Sequence, residues 1–267
     1  MTILLFSASV FLISCFTGVF GVLTGLGGGM LLIPILTLMG VDLYHAMGAS
    51  LISIITTSMS AASTPSGRCF TNFNMGIFLE TGAVLGAFVG AFLLVYLPIY
   101  IIAITFSVVL LLSAYSTVTR SPLGEDLIAV HTNFQHRELT SYRKTELFQG
   151  WFFMIIGGVL SSILGVGSGA VKVLAMDQIL KLPYKVSTAT SNFMMGITAL
   201  TSIGVYFANH YIDPYLVSPV VIGIFIGALI GSKVLQFAKS HLLRIIFSIF
   251  AVILAFEMLF IGIKNIS

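Results

Sequence analysis

The chain has 267 residues, of which 58% are hydrophobic and only 8% charged, and its mean hydropathy is +1.10. Soluble domains carry about 25% charged residues, and a single soluble core could not hide this much apolar surface. That excludes a soluble globular domain, and a formal charge of +3 is too small to argue for nucleic acid. The composition is that of an all-α polytopic membrane protein, whose segments approach or exceed the roughly 20 apolar residues a helix needs to cross a bilayer.

In chain order, residues 3–39 begin with an apolar run that no Lys or Arg precedes, so they read as a retained first segment and not a secretory signal. "GLGGGMLLIP", residues 25–34, interrupts that run. Three helices are predicted next, over 42–63, 75–97 and 98–118. Residues 119–148, with four basic and four acidic side chains, form a polar cytoplasmic connector. The second half repeats the plan, with a glycine-broken element over 149–180 and helices over 183–208, 214–237 and 242–262. Pro98, Pro183 and Pro214 fall at predicted helix starts, where a missing N–H costs nothing. Cys15 and Cys69 lie far apart with no metal-ligand spacing and read as small apolar fillers.

The connector divides the chain into a first transmembrane repeat, 1–118, and a second, 149–267. A shift of 140 carries Gly25, Gly27 and Gly29 onto Gly165, Gly167 and Gly169. A shift of 141 then carries Ser50 onto Ser191, Gly86 onto Gly227 and Gly90 onto Gly231. Each half is thus a glycine-broken element, re-entrant or discontinuous, followed by three transmembrane helices. Gly82, Gly86 and Gly90, like Gly223, Gly227 and Gly231, have the small-xxx-small spacing that lets helix backbones approach closely in lipid.

Lys and Arg placement chooses between parallel and inverted repeats. Parallel repeats put six basic residues inside against five outside. If each glycine element instead returns to the side it entered from, the halves are inverted, and ten basic residues lie inside against Lys264 outside. The inverted arrangement is expected, and it is a common build of secondary transporters. Residues 3–23 are nevertheless long for a half-depth arm.

The arm from Gly29 to Gly40 spans about 16 Å as helix, roughly half of a 30 Å hydrocarbon core. Ser50 lies about 12 Å down the next helix by the same rise. Both therefore reach the midplane, as do Gly169 and Ser191. Irregular backbone at that depth lines a cavity or is buried in protein. The break frees amide N–H groups at the positive end of the following helix, which makes a cradle for an anion. Gly25, Gly27, Gly28 and Gly29, with Gly165, Gly167, Ser168 and Gly169, are the expected backbone contacts.

Lys172, three residues beyond Gly169, is costly in an apolar stretch. It is expected to be an anion ligand or charge-compensating group, with snorkelling to the cytoplasmic face as the alternative. Ser50, Thr190, Ser191 and Asn192 could donate hydrogen bonds to an oxyanion, or equally to neighbouring helices. Glu80 and Glu257 could carry protons, but their positions near predicted helix ends favour an interfacial location. His45 and His210, beside Asp42 and Asp213, read as ordinary loop polarity.

No strand precedes the glycines and no Gly-Lys-Ser/Thr ending follows them, so a nucleotide loop fails its context. No catalytic constellation or metal-ligand cluster is visible and no cofactor is implied, which weighs against a membrane enzyme. An anion channel with a glycine-loop filter is a second reading.

"GVLTGLGGGMLLIPILTLMGVDLYHAMGASL" and "GVGSGAVKVLAMDQILKLPYKVSTATSNFMMGITA" resemble the two signature regions of the TauE/SafE family of sulfite exporters, also called TSUP. The resemblance covers both halves. It implies a plasma-membrane carrier, typically prokaryotic, for sulfur-containing anions such as sulfite or organosulfonates, driven by the proton gradient. The family's motif glycines fall on Gly25, Gly27, Gly28, Gly29, Gly165, Gly167 and Gly169. Its Ala-x-Gly-Thr-Ser pattern falls on Ala46, Gly48, Ala49 and Ser50, with alanine in place of threonine. Ser168 replaces the middle glycine of the second loop, and Leu174 stands where proline is common.

Overall fold

The computed structural model describes residues 3–25, 27–64, 71–119, 143–167, 169–180, 182, 184–234 and 240–264. Every regular element among them is a helix: α1 (Ile3–Thr24), α2 (Gly29–Leu38), α3 (Leu43–Ser63), α4 (Phe73–Leu94), α5 (Ile99–Thr119), α6 (Lys144–Leu164), α7 (Gly169–Leu174), α8 (Tyr184–Ala208), α9 (Pro214–Val234) and α10 (Ser240–Lys264). A π-helical turn, Ala175–Ile179, continues α7. Five of these helices are long and apolar enough to cross a membrane: α1 from Leu5, α3, α4, α6 and α9. The chain is a multi-pass membrane protein, and the apolar residues it exposes, among them Leu12, Phe88, Phe92, Phe225 and Phe256, face what must be lipid.

The helix boundaries follow local chemistry. Asp42 caps α3 by accepting from the Tyr44 amide at 3.1 Å, and Asn72 caps α4 by accepting from Met75 at 3.1 Å. Pro214 is the first residue of α9, and Asp213 before it accepts from the Tyr215 amide at 2.9 Å. The predicted second broken element starts earlier than 149. Helix α6 begins at Lys144, and Glu146 in its first turn accepts from the Arg143 amide at 3.4 Å. The last residues of the expected connector are therefore helical. Residues 120–142, Cys69, Lys181 and Pro183 lie outside the described residues.

The helices pair across the two halves. Helix α1 runs along α9, with Gly223, Gly227 and Gly231 against the carbonyls of Phe11, Cys15 and Val19. Numbers rise together on both helices, so the pair is parallel. Helix α4 runs along α6 in the same way, with Gly82, Gly86 and Gly90 against the carbonyls of Trp151, Ile155 and Val159. A Cβ at any of these six glycines would meet those carbonyls at under 3.0 Å. Both small-residue ladders are helix-packing surfaces.

The two remaining pairs are antiparallel. In α3 and α8, Tyr44 stacks on Tyr211, just past the end of α8, at 4.8 Å, while Ser58 donates to the Phe193 carbonyl at 3.1 Å. In α5 and α10, Ser107 donates to the Ala255 carbonyl at 2.8 Å, and Ser248 to the Ala114 carbonyl at 3.2 Å. The start of α3 thus lies at the end of the helix bundle where α8 ends and α9 begins. Helix α1, parallel to α9, starts at that same end, and α2 leads back toward it.

The expected half-depth first arm is corrected by α1. Its 22 residues span about 33 Å, a full crossing length, whereas α2 has 10 residues and spans about 15 Å. The difference lies in packing: α1 lays its length against α9 and buries the glycine ladder there.

Candidate functional site

The two glycine breaks meet between α3 and α8. Gly25 and Gly165 end the long helices with φ of +70° and +65°, and Gly27 and Gly167 both have φ of +75°. A side chain in this left-handed region costs about 1–2 kcal/mol, so the chain reverses here only because these residues lack a Cβ. A Cβ built on Gly27 would lie 3.3 Å from Met195 Sδ and 3.4 Å from Ile54 Cγ1. One on Gly167 would lie 3.1 Å from Ile54 Cδ1 and 3.4 Å from Met195 Sδ. Ile54 and Met195 correspond under the shift of 141, and a Cβ on either glycine would reach both of them.

Reciprocal hydrogen bonds tie the halves together. Ser50 Oγ donates to the Gly165 carbonyl at 2.6 Å. Its counterpart Ser191 donates to the Gly25 carbonyl at 3.0 Å and to the Gly169 carbonyl at 3.4 Å. Both serines are fully buried. Met47 lies against Gly165 and its counterpart Thr188 against Gly25. The first-turn amides of α2, starting at Gly29, have no acceptor within their own helix, and Gly29 faces Ser50 and Ile54.

The other expected donors are placed in interhelical roles. Thr190 Oγ1 accepts from the Asn72 amide at 3.0 Å, and Asn192 Nδ2 donates to the Val22 carbonyl at 3.2 Å. Asn192 Oδ1 is buried without a hydrogen-bond partner, as is Ser232 Oγ. Both residues line a small cavity of about 10 Å³ with Val22, Thr71 and Ala189, room for about one water. Ser168 lies outside the described residues, whereas Gly28 packs against Gly21 and the Thr17 carbonyl.

Lys172 does not snorkel. It is fully buried, and its Nζ donates to Glu80 Oε2 at 2.8 Å and to Thr198 Oγ1. Thr198 Oγ1 in turn bonds Glu80 Oε1, closing a ring of three side chains from α7, α4 and α8. The interfacial placement expected of Glu80 is therefore corrected. Its carboxylate faces the protein interior and is 3% exposed, because α4 turns that face toward α6 and α8. Thr198 was not singled out from the sequence, nor was the polar line that continues from it along α8. Ser202 shares a 2.5 Å hydrogen bond with Ser162, whose carbonyl accepts from Tyr206 Oη at 2.7 Å. The signal lay in the spacing: Ser191, Thr198, Ser202 and Tyr206 recur on one face of α8.

Glu257 is half-buried on α10, where its Oε1 accepts from Thr37 of α2 at 3.3 Å. His45 and Asp42 form a 3.4 Å contact with both side chains substantially exposed; the polarity expected of a loop belongs to the N-cap and first turn of α3.

Comparisons with known proteins give the chain a family. Residues 10–258 match the family described as "Sulfite exporter TauE/SafE". The chain is 21% identical to the "Probable membrane transporter protein YunE" of Bacillus subtilis (strain 168), over 92% of this chain and 94% of that protein. It is 27% identical to the "Probable membrane transporter protein YjnA" of the same organism, over 85% of this chain and 89% of that protein. No solved structure matches. The family match spans both glycine breaks: this chain is a membrane transporter of the TauE/SafE family.

Proposed function

We propose that the protein is a secondary carrier for a small, sulfur-containing anion of the sulfite or organosulfonate type, working by alternating access in the plasma membrane and coupled to protons. The two halves act as inverted repeats about an axis through the contact of Gly27, Gly167, Ile54 and Met195. Parallel pairing of α1 with α9 and of α4 with α6, with antiparallel pairing of α3 with α8 and of α5 with α10, supports that symmetry. An in-plane twofold would relate all four pairings at once. The excess of Lys and Arg makes the face at the start of α8 cytoplasmic.

The observation that carries the reading is the reciprocal pair of serine bonds. Ser50–Gly165 lies toward the start of α3, and Ser191–Gly25 lies toward the start of α8. Each ties a break of one half to a helix of the other, so each is a gate. Loss of the first opens the breaks to the outer face, and loss of the second opens them to the cytoplasm. The glycine backbone then offers amide donors to an oxyanion, and Lys172, one turn beyond Gly169, supplies positive charge. Carrying such a charge through lipid without these partners would be prohibitive.

Counterflow decides between this reading and a channel. Purified protein in liposomes preloaded with unlabelled sulfite should transiently concentrate labelled sulfite, saturably. Large unitary currents without counterflow would select the channel with a glycine-loop filter. Lys172→Ala should abolish flux with normal membrane insertion, and unchanged flux would remove Lys172 from the site.

A further inference from the structure

We propose that Glu80 is the proton-coupling residue, and that it works as a removable internal substitute for the transported anion on Lys172. This rests on the carrier reading above and names its coupling device. In the described structure the Lys172 ammonium is satisfied by Glu80 Oε2 at 2.8 Å and by Thr198. Both charged side chains are buried. Glu80 acts electrostatically on Lys172, and Lys172 on Glu80. Met154 of α6 and Met194 of α8 are buried in one apolar cluster with Met75, Leu79 and Ala83 of α4, and Gly150 lies against Leu79. An incoming anion therefore meets a lysine whose charge is already matched.

The charge balance follows. With no anion bound, Glu80 carboxylate and Lys172 ammonium sum to zero. A monovalent anion added to that pair would leave one net negative charge in a low-dielectric site, at a cost of several kcal/mol. If the Glu80 carboxylate first takes a proton from the aqueous side, the neutral acid releases the ammonium to the anion, and the site again sums to zero. Both carrier forms that reorient are then neutral. Each anion is transported together with one proton, with no net charge moved.

The fold does not need these charges for packing. Under the repeat shifts the counterpart of Lys172 is Leu32, which is fully buried, and the counterpart of Glu80 is Val221. Each of the two corresponding positions holds an apolar residue. Replacing a buried ion pair by apolar side chains is often neutral or stabilising for a fold, so a purely structural pair has no reason to persist in one half alone. Lysine also suits an exchange of partners: its ammonium carries three donors on a flexible stem, and two of them are held by Glu80 and Thr198.

The test uses the full-length protein in detergent with methanesulfonate, a strong-acid anion whose own charge does not vary with pH. Binding is followed by calorimetry from acid to alkaline pH. Once Glu80 is ionised in the free protein, the wild-type Kd should rise tenfold per pH unit, the slope of one linked proton. A weakly buffered solution with an indicator dye should show about one proton taken up per anion bound, a readout that requires no variant. Glu80→Gln should flatten the pH profile, and Lys172→Met should abolish binding. Wild-type binding without pH dependence or proton uptake would overturn the coupling while leaving the carrier reading standing. The double variant Lys172→Met, Glu80→Leu removes both charges from a folded protein; a wild-type pH profile there would overturn it equally. Failure of the wild type to bind or transport any oxyanion would remove both readings together.

Discussion

Gly29→Ala, alone and combined with Ser50→Ala, tests whether the crossed serine bonds hold the two breaks together. A methyl group on Gly29 would collide with Ser50 Oγ and lie 2.9 Å from Ile54 Cδ1 and 3.1 Å from Ile54 Cγ1. Ser50 must rotate away, and it then loses its 2.6 Å bond to the Gly165 carbonyl. Ser50→Ala alone loses the same bond. Side-chain hydrogen bonds between membrane helices are worth about 0.6 kcal/mol and at most about 1.7 kcal/mol, while a buried carbonyl left without a donor can cost about 1–3 kcal/mol. Ser50→Ala should therefore cost about 1 kcal/mol. Gly29→Ala loses that bond and also crowds Ile54, and overpacking adds about 1–3 kcal/mol, so its cost should be about 2–4 kcal/mol. The two losses share one bond, and removing Ser50 Oγ also relieves the worst collision. The double variant should thus be more stable than the sum of the singles predicts, by about 1 kcal/mol, well outside the ~0.3–0.5 kcal/mol scatter of independent sites. Reversible unfolding in mixed micelles of increasing SDS fraction measures all three. A neutral Gly29→Ala, or strictly additive costs, would show that the breaks are not held as described.

Other consequences can be checked with single substitutions. Gly86→Val places its new side chain against the Ile155 carbonyl and backbone; it should separate α4 from α6 and cost more than about 2 kcal/mol. Gly204→Ala in α8 meets nothing within 4 Å and should be neutral or stabilise by up to about 1 kcal/mol. Glu257→Gln keeps an acceptor for Thr37 and should leave the pH dependence of transport close to wild type; loss of proton-coupled flux with counterflow intact would make Glu257 a second coupling site. For the gates, Ser50→Ala should raise the labelling rate of a cysteine at position 47 by an impermeant reagent from outside. Ser191→Ala should do so for a cysteine at position 188 from inside. Equal changes at both positions would argue against two separate gates.

Much of this architecture can be read from the chain because membrane composition, glycine and proline act locally. The broken elements at Gly25–Gly29 and Gly165–Gly169, the helix start at Pro214 and both glycine ladders follow from backbone rules that need no partner. The partner helices of those ladders were not legible. Gly86 has the spacing for close approach, but nothing near it in sequence says that Ile155 of the other half fills the groove. The same gap explains Glu80. Distance along a helix from its end measures depth, not direction, and the carboxylate's partners come from 92 and 118 residues away. Lys172 stood out because a lone ammonium in an apolar stretch has to be compensated, although the sequence leaves open whether by lipid headgroups, a substrate or another side chain.

In the proposed mechanism, the symmetry and its violation together explain how one site could both open to two faces and count protons. Ile54, Ser50 and Gly27 have counterparts in Met195, Ser191 and Gly167, so the gates are equivalent in kind and each face sees the same backbone device. Lys172, Glu80 and Thr198 sit to one side of that axis, and of their counterparts Leu32, Val221 and Thr57 only Thr57 is polar. A symmetric centre with a charged pair in each half would bind two anions or none. With one ammonium, and one carboxylate that can be neutralised, the site holds a single negative charge at a time, supplied either by the protein or by the solute. Transplanting the pair as Leu32→Lys with Val221→Glu in a Lys172→Leu, Glu80→Val background should therefore restore pH-dependent methanesulfonate binding at the mirrored position. If the transplanted pair folds but binds nothing, the asymmetry reflects a difference in the breaks themselves, and charge placement is not what makes the second half the coupling half.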